Sequence, residues 1–151
     1  VVDRAGNANL AADLVLMYDR EPPRVQFHSS VASPGPVSPI PVTVVFDEPV
    51  FGFGESGLEV ADASVLNFVQ YSKHEFVFTL IPSSLSCIIR LSITSGVARD
   101  AAGNENIPAS TSIIHDAVAP TVIFDMARLT AINEAPFVAS ATFSEPVRLF
   151  E

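Results

Sequence analysis

A short loop sequence occurs twice in this chain, and the spacing between its copies constrains the fold more than any other feature. The copies are DRAGNAN at residues 3–9 and DAAGNEN at residues 100–106, so the period is 100 − 3 = 97 residues. When residues 1–54 are laid over residues 98–151 without a gap, 16 of the 54 pairs are identical. A fixed period of this kind indicates a repeated structural unit.

The period divides the chain into three parts. Residues 1–19 are predicted to be the C-terminal end of one repeat, residues 20–116 a complete repeat, and residues 117–151 the N-terminal part of the next. We therefore expect the chain to be a segment of a longer protein. A unit of 97 residues in a chain that is 48% hydrophobic is large enough to bury a core of its own.

Within residues 20–116, short apolar runs separated by turn residues predict β-strands and no helix. The run PVTVVF alternates clearly, because Val42, Val44 and Phe46 fall on one face of an extended chain. Seven such runs predict an all-β fold, and their number and spacing are typical of an immunoglobulin-like seven-stranded sandwich, here in tandem repeat. The predicted strands span residues 24–27, 41–46, 57–60, 64–70, 75–80, 87–93 and 110–115.

The charge of the chain excludes two classes of partner. Its 17 acidic and 8 basic residues leave a net charge of −9, whereas nucleic acids and anionic membranes are bound by basic patches. We therefore expect no nucleic-acid partner and no membrane insertion by this segment. The negative charge is compatible with cations as ligands. The sequence also contains no phosphate-binding glycine loop and no nucleophile elbow, so we expect no enzymatic activity.

Three sequence motifs follow one another in a fixed order along the chain. They read F-x-E-P-V-x-x-F, D-A-A-G-N and D-x-x-x-P-x-V, and their defining residues are Phe46, Glu48, Pro49, Val50 and Phe53, then Asp100, Gly103 and Asn104, then Asp116, Pro120 and Val122. This order resembles the bacterial Ig-like repeats that occur in tandem in large surface adhesins and other extracellular multidomain proteins.

The resemblance implies a structural or adhesive module of an extracellular or cell-surface protein, acting as a spacer or stalk. Its partners would be the neighbouring repeats of the same chain, together with a protein or glycan that the sequence does not identify. The alternative is a carbohydrate- or protein-binding accessory module of a secreted multidomain enzyme. Because modules of one fold serve many purposes, the resemblance alone does not decide between them. No cofactor is required in either case.

Acidic residues of the repeated motifs are predicted to meet at one end of the complete repeat. In an immunoglobulin-like strand path, the incoming linker, the loop after the second strand and the loop between the sixth and seventh strands lie at the same end. Calcium binds six to eight oxygens from carboxylates, amides and carbonyls. The predicted ligands of a calcium ion between repeats are Asp19, Glu21, Glu48, Asp100 and Asn104.

The same residues also have an interpretation in turn chemistry alone. Asp100 can accept backbone N–H groups within its own turn, Gly103 can adopt positive φ, and Asn104 tolerates the left-handed region. Glu48 precedes Pro49, which favours an extended backbone at the end of a strand. Both interpretations are open on the sequence.

Aromatic residues provide the competing binding hypothesis. Phe51 and Tyr71 would form a platform for a sugar if both were exposed on a common face. Phe53 recurs at the 97-residue period as Phe150, which favours a role in the core. Exposure of Phe51 and Tyr71 therefore bears on the choice between a binding module and a plain spacer.

Overall fold

A computed structural model describes residues 1–8, 10, 18–126 and 139–148 of the chain. These residues form β-strands and one short 3-10 turn at Glu55–Gly57, and none of them belongs to a helix that could cross a membrane. The strands are β1 (Val25–His28), β2 (Ile40–Phe46), β3 (Leu58–Ala61), β4 (Ala63–Gln70), β5 (Glu75–Pro82), β6 (Ser86–Ile93), β7 (Ala109–Asp116), β8 (Val122–Met126) and β9 (Ala139–Phe143).

The first seven strands form two antiparallel sheets. One sheet has the order β1-β2-β5-β4 and the other the order β3-β6-β7, while β8 and β9 make a separate antiparallel pair. The predicted all-β fold is confirmed, and each of the seven strands predicted for residues 20–116 lies within two residues of its expected bounds.

The inward faces of the two sheets share one hydrophobic core. Side chains alternate between the faces of a strand, so β2 and β5 each bury every second residue. Full burial of one large aliphatic or aromatic side chain contributes about 1.5–3 kcal/mol. The core consists of Val25, Ile40, Val42, Val44, Phe46, Val50, Phe53, Leu58, Phe76, Phe78, Leu80, Ile89, Leu91, Ile93, Ala98 and Ile113.

Aromatic packing fixes the start of the loop between β2 and β3. The Phe53 ring meets Phe46 and Phe76 edge to face, with centroid distances of 5.2 and 4.8 Å. Phe53 is buried, as the recurrence of this residue in the sequence predicted. The loop residues around Glu48 are therefore held between two core positions, Phe46 and Phe53.

The loop between β1 and β2 covers part of the outer edge of β7. Gly35 donates its N–H to the Ile114 carbonyl at 3.3 Å and accepts the Asp116 N–H at 3.0 Å. The Ser33 hydroxyl accepts the Ile114 N–H at 2.8 Å. A Cβ at position 35 would lie 2.6 Å from the Ala32 carbonyl oxygen, so only glycine fits without a shift. This pairing shields an edge that would otherwise be open.

The pair β8–β9 reproduces the register of the pair β1–β2. Val25 pairs with Phe46, and Val122 pairs with Phe143, which is the same pairing after a shift of 97 residues. The correspondence holds through four successive pairs of residues. The repeated sequence thus has matching backbone pairing in its two copies.

Candidate functional site

The loop between β6 and β7 contains a hydrogen-bonded turn built on Asp100. Its Oδ1 accepts the Asn104 N–H at 2.8 Å, and its Oδ2 accepts the Asn104 side-chain amide at 2.7 Å. The backbone closes the turn, since Gly103 donates to the Asp100 carbonyl at 3.3 Å with a φ of +92°. The contacts of Asp100 and Gly103 match the turn chemistry expected from the sequence, whereas Asn104 does not adopt positive φ and joins the turn through its N–H groups.

The first copy of the loop sequence folds in the same way. Asp3 Oδ1 accepts the Asn7 N–H at 2.9 Å, and Oδ2 accepts the Asn7 side-chain amide at 2.9 Å. Gly6 donates to the Asp3 carbonyl at 3.1 Å with a φ of +89°. The residues Asp, Gly and Asn of the motif therefore encode one local structure at both positions.

Asn106, the last residue of DAAGNEN, has a separate role that sequence reasoning did not assign. It is fully buried, and its Oδ1 accepts the Ala98 N–H at 2.9 Å. Its side-chain amide donates to the carbonyls of Thr94 at 2.8 Å and Ile107 at 3.2 Å. Its recurrence as Asn9 in the sequence was the signal that could have identified it. The side chain of Asn106 therefore links the two sides of the β6–β7 loop by hydrogen bonds.

The β6–β7 loop is joined to the linker that precedes β1. The Asn104 side-chain amide lies 3.4 Å from the carbonyl oxygens of both Asp19 and Glu21. Ile107 donates its N–H to the Pro23 carbonyl at 2.9 Å. The incoming chain is thus attached to the body of the sandwich before its first strand begins.

The same loop is also joined to the loop between β2 and β3. Phe51 and Arg99 exchange backbone hydrogen bonds, with N···O distances of 2.7 and 3.0 Å. Arg99 also forms an ion pair with Glu105 on its own loop. Linker, β2–β3 loop and β6–β7 loop therefore meet at one end of the sandwich, as the sequence predicted.

Three carboxylates come together at this meeting point. Asp19, Glu48 and Asp100 each offer an oxygen, and the three oxygens lie within 4.8 Å of one another. Asp19 is exposed, Glu48 is partly buried and Asp100 is buried. Within the described part of the chain this is the one group of three or more His, Cys, Asp or Glu side chains with such spacing. We refer to these three residues as the acidic triad.

The carboxyl groups of the triad differ in their electrostatic environment. Burial raises the pKa of Glu48, and the negative charges of Asp100, Asp19 and Asp47 raise it further. Burial also opposes ionisation of Asp100, but hydrogen bonds, chiefly from the Asn104 side chain and backbone, outweigh it and hold the Asp100 pKa below its usual range. The charge of Glu48 is therefore less well compensated than that of Asp100.

The two other predicted ligands lie at the site but contribute differently. The Glu21 carboxylate is not a member of the triad, and Glu21 reaches the site through its backbone carbonyl, which accepts from Asn104. Asn104 presents its amide N–H groups to the Asp100 carboxylate and to the linker carbonyls. In this arrangement Asn104 acts as a hydrogen-bond donor.

The arrangement of the triad suits a divalent cation in size. Calcium–oxygen bonds of about 2.3–2.6 Å allow one ion to contact oxygens that are up to about 5 Å apart. The observed limit of 4.8 Å falls within that span. Backbone carbonyls of the linker, including those of Asp19 and Glu21, lie next to the triad because Asn104 contacts both.

The two aromatic residues of the competing hypothesis are both exposed. Phe51 is 49% exposed and Tyr71 is 75% exposed, so neither belongs to the core. The ammonium group of Lys73 lies 5.0 Å from the centroid of the Phe51 ring, a cation–π distance. One face of that ring is therefore covered by a side chain of the protein itself.

No protein-family model matches the chain, and no curated protein matches it at a significant level of similarity.

Proposed function

We propose that this chain is a stretch of a tandem array of immunoglobulin-like modules in an extracellular or cell-surface protein, where it acts as a spacer or stalk. The strand orders β1-β2-β5-β4 and β3-β6-β7 correspond to the two sheets of a constant-type immunoglobulin domain. The 97-residue period and the equivalent registers of β1–β2 and β8–β9 support a repeating unit. Its proposed divisions are residues 1–19, 20–116 and 117–151.

The observation that carries this proposal is the attachment of the incoming linker to the end of the module. Asn104 contacts two linker carbonyls, and Ile107 binds the carbonyl of Pro23. A linker held in this way cannot rotate freely about the first strand, because its backbone groups are already paired. A chain of such modules would be extended and stiff, which is what a stalk requires.

Calcium is the second element of the proposal. The carboxylates of Asp19, Glu48 and Asp100 repel one another when all are ionised, and a bound cation would remove that repulsion. The ion would join the linker, the β2–β3 loop and the β6–β7 loop, and so add to the stiffness that the hydrogen bonds provide. Extracellular modules bind calcium with dissociation constants of about 0.1–1 mM.

Thermal melting of the chain with calcium and with chelator tests this element. A ligand at about 100 times its dissociation constant stabilises the folded state by about 2.7 kcal/mol, so the melting temperature should rise with calcium. The variants Glu48→Gln and Asp100→Asn should lose most of that rise. The variant Glu59→Gln is the control, because Glu59 is exposed on β3 and binds Ser92 outside the triad.

The absence of any heat of binding and of any melting shift at about 1–10 mM calcium would refute the calcium element. The spacer proposal would survive that result, because the linker is attached by hydrogen bonds that need no ion.

A second candidate is a carbohydrate- or protein-binding accessory module of a secreted enzyme, and the exposure of Phe51 and Tyr71 meets the first of its two conditions, the second being a common face for the two rings. If it is correct, a soluble oligosaccharide should shift the NMR signals of both rings, and Phe51→Ala and Tyr71→Ala should each weaken its binding. The variant Tyr18→Ala is a suitable control, since Tyr18 is 78% exposed and lies in the linker. Binding that is unchanged in all three variants would count against an aromatic sugar site.

A further inference from the structure

His115 is a buried histidine with an unsatisfied ring nitrogen. The residue is 3% exposed, and its Nδ1 has no hydrogen-bond partner. Among the residues that the structure describes, this is the one buried side-chain nitrogen or oxygen in that condition. A buried polar atom without a partner destabilises the folded state, because it has given up hydrogen bonds to water and gained none in return. The Nδ1 atom is therefore free to bind a ligand.

The residue directly opposite His115 on the neighbouring strand is Cys87. In the antiparallel pair β6–β7, Cys87 is paired with His115 and Ile89 with Ile113. All four side chains are on the inward face, since Ile89, Ile113 and His115 are buried and Cys87 packs against the hydrophobic core. The Cβ atoms of directly opposite residues are about 4.5–5.5 Å apart. The thiol and the imidazole are thus neighbours on one face of the sheet.

The hydrogen bonds of the Cys87 thiol are directed away from His115. The thiol donates to the carbonyl of Asp62 at 3.7 Å and to the carbonyl of Ser84 at 3.9 Å. These sulfur contacts are long and weak, so a stronger partner for the sulfur would replace them at little cost. Cys87 is also only half-buried, which leaves the pair accessible from the side of the thiol.

The fold does not require a histidine at position 115. The 97-residue period places Tyr18 at the position equivalent to His115. If the two segments are copies of one structural unit, that unit accepts a tyrosine at this position. The imidazole is then a property of the complete repeat alone, which favours a chemical role over a structural one. The geometry of the Cys87–His115 pair itself does not depend on the repeat.

We propose that Cys87 and His115 bind a soft monovalent metal ion, Cu(I), through Sγ and Nδ1. Thiolate is a ligand that selects Cu(I), and imidazole also suits copper. When the ion binds, the thiol releases its proton to the solvent and the sulfur becomes a thiolate. A thiolate, a neutral imidazole and a monovalent cation together have no net charge, so the bound group suits a site that is largely buried. The ion also gives Nδ1 the partner that it lacks.

The charge and the number of ligands argue against a divalent ion at this pair. Structural zinc sites have four protein ligands. Among the described residues, no third His, Cys, Asp or Glu side chain lies close enough to join Cys87 and His115, because the acidic triad is the one group of three. A divalent ion on a single thiolate would leave a net positive charge away from water, which is unfavourable. Calcium prefers oxygen ligands, so the triad and the pair select different ions.

The pair and the acidic triad lie at opposite ends of the sandwich. Cys87 is the second residue of β6 and His115 the next-to-last residue of β7, whereas the triad lies by the loop that joins these strands. Six residues of extended strand between Cys87 and Ile93 correspond to about 20 Å. Binding of an ion at one end should therefore be independent of the other.

Titration of the 151-residue chain with Cu(I), without oxygen and in competition with the chelator bicinchoninate, measures the binding. We expect one ion per chain. The variant Cys87→Ser should abolish this binding, because the thiolate is lost. The variant His115→Tyr should raise the dissociation constant at least about tenfold, since loss of an outer-shell partner alone costs about that much and His115 is a direct ligand. Tyr18 at the equivalent position indicates that the fold accepts this change.

The variant His74→Ala is the matched control. His74 is exposed in the loop between β4 and β5, so its removal should leave the dissociation constant for Cu(I) unchanged. X-ray absorption of the wild-type chain loaded with Cu(I) provides a measurement that needs no variant. We expect one sulfur and one nitrogen among the neighbours of the copper, as the Cys87–His115 pair requires.

An affinity for Cu(I) that is the same in the wild type and in Cys87→Ser would overturn the proposal. Equal affinities of the wild type and His115→Tyr would also overturn it, because the thiol alone would then hold the ion. Copper with sulfur neighbours only would contradict it as well, since two chains would then share one ion through their thiolates. The titration contains no calcium, so failure of this site is distinguishable from failure of the proposed stalk or of its calcium site.

Discussion

At the scale of single residues, four residues of DAAGNEN have different structural roles in the loop between β6 and β7. Asp100 and Gly103 close the turn, Asn104 reaches out to the linker, and Asn106 points into the protein. Each role follows from the chemistry of its residue, because an amide both donates and accepts whereas a carboxylate only accepts. The first copy repeats the Asp3, Gly6 and Asn7 part of this arrangement.

Substitution of Asn106 tests the role of the buried amide. The change Asn106→Ala leaves the buried Ala98 N–H without its acceptor and removes the donor to the Thr94 carbonyl, which is partly buried. Unsatisfied buried polar groups cost about 1–3 kcal/mol each, so we expect the free energy of unfolding to fall by about 2–4 kcal/mol. In a domain of about 100 residues this lowers the melting temperature by roughly 10 °C or more.

The matched control for Asn106→Ala is Gln70→Ala. Gln70 is an exposed amide at the end of β4, and its removal should change the melting temperature by no more than a few degrees. Equal stability of Asn106→Ala and the wild type in urea denaturation would show that the loop does not depend on this side chain.

The raised pKa of Glu48 predicts that the substitution Glu48→Gln changes the stability of the protein in a pH-dependent way. A carboxyl whose pKa is higher in the folded state favours folding while protonated, and this contribution is lost as pH rises through the folded-state pKa. At pH 7 in chelator, Glu48→Gln should therefore be more stable than the wild type. The difference should shrink as pH falls to about 4, where the wild-type side chain is also protonated.

Urea denaturation at several pH values measures this effect, with Glu59→Gln as the exposed control. In calcium the order should reverse, because the wild type then gains the ion that the variant lacks. A variant that is less stable than the wild type at pH 7 in chelator would contradict the electrostatic interpretation of Glu48.

At the scale of secondary-structure elements, the strands were predictable because their burial alternates. β2 and β5 bury every second residue, and this period of two is visible in the sequence. The segment between the predicted strands at residues 24–27 and 41–46 has no strand pattern, and the sequence does not indicate its pairing with β7 through Gly35. Pairing between distant segments leaves no local period, so a single sequence does not display it.

The same distinction explains which part of the site was predictable. The meeting of Asp19, Glu48 and Asp100 follows from the order of strands, since three loops of a sandwich share one end. The direction of each side chain does not follow from that order. Glu21 therefore contributes its carbonyl and Asn104 its N–H groups, details that depend on local backbone angles.

At the scale of the whole molecule, the hydrophobic core of the described residues lies within one predicted repeat. Every core residue that the structure describes falls between Val25 and Ile113, and both sheets that enclose the core are built from β1 to β7. The pair β8–β9 is a two-stranded element with Ile123 and Phe124 largely exposed. Such a pair is marginally stable in water without further strands to cover it.

Residues 20–116 should therefore fold alone, with a single cooperative transition and a β-type circular dichroism spectrum, because that segment contains every core residue among those the structure describes. Residues 117–151 alone should show no cooperative melting, since two strands cannot bury both of their faces.

A third fragment, residues 18–116, adds Asp19 and so restores the complete acidic triad. If calcium binds at the triad, it should raise the melting temperature of residues 18–116 much more than that of residues 20–116. Cooperative melting of residues 117–151, or failure of residues 20–116 to fold, would refute the proposed boundaries. An equal calcium response of the two longer fragments would instead place the ion away from Asp19.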